Sequence, residues 1–142
     1  MLDLVVSGRF ALPGGRLEDG EIGIADGRIA VLAEDGGLTA HERIDVPAGQ
    51  LILPGHVDAH VHTGSAPGEG VARATASAAA GGVTTIIDMP YDDPEPVSTV
   101  ARFDRKVAHV EAEALVDVAL YATVAPSGGL DEIGRASCRE RV

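Results

Sequence analysis

Apolar and polar positions alternate at the start of the chain, and the period changes about a third of the way along. Leu2, Leu4 and Val6 recur at every second residue, as do Ile22 with Ile24 and Ile29 with Val31. Alternation of this kind puts the apolar side chains on one face of an extended segment, so these runs predict short strands. Asp26 and Gly27 stand between the second and third runs, and such a pair suits a tight hairpin. Ile44 and Val46 continue the pattern until Pro47 to Gln50 breaks it. The segment up to there reads as antiparallel strands, too few to bury a core unaided.

From Leu51 the pattern changes. An apolar strand runs to His62, a glycine-containing loop follows, and an alanine-rich helix covers Val71 to Ala80 before Gly81 and Gly82 end it. Val83 to Met89 is β-branched and reads as a second strand, and Pro90 to Pro96 as a proline-broken loop. Ser98 or Thr99 can cap the next helix. In that helix Val100, Phe103, Val107 and Val110 form an apolar stripe, with Arg102, Lys106, His109 and Glu113 on another face. Leu115 to Val124 supplies a third strand, and Ala125 to Glu132 opens another loop and helix. Strands alternating with helices at this spacing imply a parallel sheet.

Composition narrows the function classes. A hydrophobic content of 45% over 142 residues suits a globular chain. A formal net charge of −11 disfavours nucleic acid and anionic membrane surfaces as partners and leaves small molecules and metal ions. No run reaches the roughly 18 apolar residues of a membrane span, and no basic stretch precedes an apolar core at the N-terminus, so a cytoplasmic protein is expected. Residues 132–142 depart from the rest, with Arg135, Arg139, Arg141 and the single Cys138 close together. That string resembles a translated sequencing adapter and is read as an artificial tail. Without it the chain is more acidic still and has no cysteine, so any metal must be held by nitrogen and oxygen.

The chemistry concentrates in Leu53 to Gly64, "LPGHVDAHVHTG". Along a strand Asp58, His60 and His62 share one face, and two unpartnered imidazoles on a buried strand would be costly, whereas a divalent cation satisfies both. Hydrogen-bonded or edge histidines are the alternative, and an H-x-H by itself is a weak signal. Its place at the end of the first strand of a parallel βα series strengthens it. Asp58 orients an imidazole or anchors the loop, with neither preferred. His56 sits at an irregular strand entry. His41, His109 and the lone Lys106 read as solvated surface groups, and Tyr91, Asp92 and Asp93 as ordinary turn chemistry.

"LPGHVDAHVH" followed by "AAAGGVTTIIDMP" resembles the opening of the amidohydrolase superfamily in its cyclic amidase branch, the allantoinases, hydantoinases and dihydroorotases. The resemblance implies an α/β fold: an incomplete (β/α)8 TIM barrel, its first three strand-helix units in residues 53–131, preceded by part of a small antiparallel β-sandwich in residues 1–52. It implies that His60 and His62 are metal ligands, with Zn2+ the usual ion and two divalent metals in the full-length protein. The bridging carboxylated lysine, later histidines and catalytic aspartate are expected outside this chain, so catalytic and substrate-binding residues remain unassigned. The implied partner is a small cyclic amide or ureide, the implied reaction hydrolysis of a ring C–N bond in a homo-oligomeric parent, and the chain alone is expected to be inactive. Dihydroorotase-like proteins carry an arginine soon after H-x-H, where this chain reads Thr63-Gly64-Ser65, so allantoinase- or hydantoinase-like chemistry fits better. A mononuclear deaminase of the same superfamily and a non-catalytic assembly protein are the competing readings.

Overall fold

A computed structural model describes residues 1–34 and 36–124 of the chain. Two compact units divide between Pro54 and Gly55. The expected helix and tail beyond Ala125 lie outside the described residues.

The first unit is a four-stranded sheet of β1 (Leu2–Leu12), β2 (Arg16–Ala25), β3 (Arg28–Ala33) and β4 (Ala40–Asp45), in the order β3-β2-β1-β4. Asp26 and Gly27 make the β2–β3 turn with φ of 52° and 69°, the left-handed backbone that a two-residue hairpin demands. One expectation fails here: β4 pairs parallel to β1, Leu4 opposite Glu42 and Val6 opposite Ile44. Alternation reveals which face a side chain takes but not the direction of its strand. The direction follows from the connection after β3, where the buried Glu21 carboxylate accepts the backbone N–H groups of Gly37 and Leu38 at 3.1 and 2.9 Å. Arg43 of β4 pairs with the same carboxylate. Val5 and Phe10 are the buried apolar residues of this unit.

The second unit alternates β5 (His56–Val61), α1 (Gly70–Ala80), β6 (Val83–Asp88), α2 (Val100–Glu113) and β7 (Asp117–Leu120). Its sheet has the order β5-β6-β7 and is parallel throughout, as the spacing predicts. Gly81 caps α1, and Gly82, at φ 78°, turns the chain into β6. Thr99 caps α2 by accepting the Arg102 backbone N–H. Of the predicted stripe Phe103 and Val110 are buried, and Val107, Leu120 and Ala122 pack against Val97 and Phe103. The strand around H-x-H is shorter than the apolar run suggests, and exposed rather than buried along most of its length. It stands at the edge of the described sheet, where Val57 is 63% exposed.

Candidate metal centre

The parallel register brings the C-terminal ends of the strands of the second unit together: Val61 is paired with Asp88, and Asp88 with Leu120. In parallel α/β sheets this end is where loops from successive strands converge on a ligand. His60 and His62 emerge there. Their Nε2 atoms are 3.2 Å apart and their ring centroids 5.1 Å, with the planes at 61°. Two nitrogens that each bind one tetrahedral zinc at about 2.0–2.1 Å stand about 3.3 Å from each other. The pair therefore has the spacing of two ligands of one cation, and without a cation the same spacing makes a single ring-to-ring hydrogen bond.

The strand is irregular where the alternation rule was applied, with a register shift between Asp58 and Val61. Asp58 Oδ1 accepts the backbone N–H of His60 at 3.1 Å, which suits an anchor better than an imidazole partner. His56 lies at the other end of β5, opposite Val83, and is not brought to the pair. His41 and His109 are exposed. Among the described residues no three histidine, cysteine or acidic side chains cluster as a complete metal site.

The loop after His62 is fixed by a buried polar network. Asp88, 1% exposed, ends β6 and accepts the backbone N–H of Thr63 at 3.0 Å and its hydroxyl at 2.5 Å. Lys106 reaches in from α2, and its Nζ stands 2.9 Å from Asp88 Oδ2, 2.9 Å from Thr63 Oγ1 and 2.8 Å from each oxygen of Asp92. Here two expectations are corrected. Lys106 is 7% exposed, because the side of α2 that carries it is covered by the loops after β5 and β6 and their acids. Asp92 is a partner of that lysine rather than a solvated turn acid. The signal that could have found them was the acid closing the apolar run "TTIID", which a buried strand end tolerates only with a partner.

The loops after β5 and β6 are joined further by main-chain bonds from Met89 N–H to Val61 O at 2.7 Å and from Asp93 N–H to Gly64 O at 2.8 Å. Ser65 Oγ lies 3.1 Å from His62 Nδ1 and donates to the Tyr91 carbonyl at 2.5 Å. The Tyr91 ring stacks on that of His62, centroids 6.3 Å apart and planes at 29°, so this residue also belongs beside the histidines although its side chain is exposed. A side chain at Gly64 would start 2.5 Å from Asp92 Oδ1.

No family model matches the chain. It is 39% identical over 136 residues to an allantoinase of Rubrobacter xylanophilus, covering 92% of this chain and 30% of that protein. It is 35% identical over 130 residues to a dihydroorotase of Listeria welshimeri, covering 89% of this chain and 30% of that protein. Among solved structures, L-hydantoinase (dihydropyrimidinase) from Arthrobacter aurescens superposes with a TM-score of 0.85 at 33% identity, over 96% of this chain and 31% of the other. The chain thus spans about a third of the length of the relatives it matches.

Proposed function

From a chain that belongs to the cyclic-amide branch of the amidohydrolases, with allantoinases, dihydroorotases and hydantoinases among its relatives, we propose that it contributes part of a metal-dependent, ring-opening hydrolase. His60 and His62 hold one divalent cation, zinc in the first instance. The observation that carries this is the 3.2 Å separation of their Nε2 atoms at the C-terminal end of a parallel strand. Imidazole is a good zinc donor, and the two rings present nitrogen from the end of β5 and from the start of the loop after it, which a buried network holds. A divalent cation supplies Lewis-acid chemistry for hydrolysis of an amide.

What this chain's own residues do is positional. Asp88 and Lys106 hold Thr63, the residue after His62, so that the second imidazole starts from a fixed main chain. Tyr91 lies against the His62 ring and is itself largely open to solvent. Gly64 offers no cation for a substrate carboxylate, which supports an allantoin- or hydantoin-like ring over a carboxylated one. On this reading the residue that accepts and returns the proton, and the other metal ligands, belong to the remainder of the protein.

The test is metal content and ring opening in the complete protein. Zinc by elemental analysis and turnover of allantoin and hydantoin should both fall to background in His60→Ala and in His62→Ala. Full zinc content in the double variant would remove the assignment.

A further inference from the structure

We propose that Ser65 is a positioning residue that locks the His62 imidazole in the tautomer with its proton on Nδ1, leaving Nε2 as a bare lone pair toward the cation. The inference deepens the assignment of His60 and His62 as ligands and rests on it.

The argument is one of hydrogen-bond polarity. Ser65 Oγ is 2.5 Å from the carbonyl oxygen of Tyr91 and 3.1 Å from His62 Nδ1. A carbonyl oxygen only accepts, and a hydroxyl has one proton, so that proton is committed to Tyr91. Serine then has only lone pairs to offer the imidazole, and the shared contact requires a proton on Nδ1. A neutral imidazole protonated on Nδ1 carries its free lone pair on Nε2, the atom 3.2 Å from His60 Nε2.

The acceptor that sets this polarity is itself held. Met89 and Asp93, two residues to either side of Tyr91, are hydrogen-bonded through their N–H groups to Val61 and Gly64, so the segment that carries the carbonyl is tied at both ends. The same residue supplies the ring stacked on His62. Tyr91 therefore orients the hydroxyl through its backbone and limits the imidazole through its side chain. Ligand histidines depend on such outer partners, whose loss typically lowers metal affinity about 10–100-fold.

The experiment uses the complete protein with ring-15N histidine, at a pH where the imidazoles are neutral, together with zinc titration against a chromophoric chelator. In the parent and in Ser65→Thr, which keeps the hydroxyl, His62 should show a protonated Nδ1 and a bare Nε2. In Ser65→Ala the ring should shift toward the Nε2-protonated form, and zinc affinity should fall about 10–100-fold. Because Ser65 is exposed, the thermal midpoint should stay within a degree or so, which separates positioning from folding. Unchanged ring spectra and zinc affinity in Ser65→Ala, while His60→Ala still abolishes binding, would overturn the role of Ser65 and leave the ligand pair standing. Zinc binding that survives His60→Ala would overturn the ligand pair itself.

Discussion

Lys106 shows how much one side chain can decide. Its ammonium is enclosed with two carboxylates and a hydroxyl, and each of those groups belongs to, or directly precedes, one of the two loops that carry the site. A buried pair of this kind adds little net stability compared with apolar packing, but removing one partner strands the other. Lys106→Met should therefore cost about 3–5 kcal/mol in a urea titration of the second unit, much of it recovered when Asp88→Asn is added. An equal loss in both variants would mean that the charge pair is not the source. The sequence read Lys106 as lying on a different face from the apolar stripe, yet it is buried together with Phe103 and Val110, three and four residues away. The sequence could not show what lies over that side of the helix, because burial there depends on loops distant in sequence. His60 and His62 were readable for the opposite reason: their relation is local, two residues apart along one strand.

At the level of elements, periodicity was a good guide to the helices and to the parallel sheet, and a poor one to strand direction. The β2–β3 hairpin was legible in its Asp-Gly turn, and α2 in its stripe and its capping threonine. The parallel pairing of β4 with β1 was not, since it depends on Glu21 capturing the backbone of the crossing segment. This carboxylate makes a pH dependence. Its hydrogen bond from Arg43, followed by that from Leu38, holds its pKa below the ordinary glutamate value. A lowered folded-state pKa contributes stability that is present above the unfolded-chain value, about 4.3, and is lost as pH falls through the lower folded one. Acid titration of the thermal midpoint should show a drop below about pH 4.3 that is weaker in Glu21→Gln. A parallel pair of curves would mean that other carboxylates carry the acid transition.

For the molecule as a whole, the two units keep separate accounts. Each has its own buried apolar residues, Val5 and Phe10 in the first and Ile86, Val71 and Phe103 among those of the second. The candidate site lies within the second, and among the described residues two imidazoles meet there. Structural and catalytic zinc sites ordinarily take three or four protein donors. The chain by itself should therefore bind zinc weakly and open neither allantoin nor hydantoin, whereas the complete protein should do both in spectrophotometric assays. Turnover by the isolated chain, lost in His62→Ala, would show instead that the pair suffices. Two motifs in the sequence point to the proposed start of this site and to nothing of its remainder, in a chain that spans about a third of the length of the relatives it matches.

The close approach of Asp92 to Gly64 has an evolutionary reading. Gaining an arginine at position 64, the simplest way to favour acid-bearing rings, would push away the carboxylate that Lys106 holds. A lineage starting here would have to shorten residue 92 first, leaving a buried ammonium with one fewer counterion while the new trait was still absent. If position 64 reads the substrate as proposed, a change of preference and the integrity of the loops are entangled at one contact, and drift between the two substrate classes crosses a valley rather than a slope.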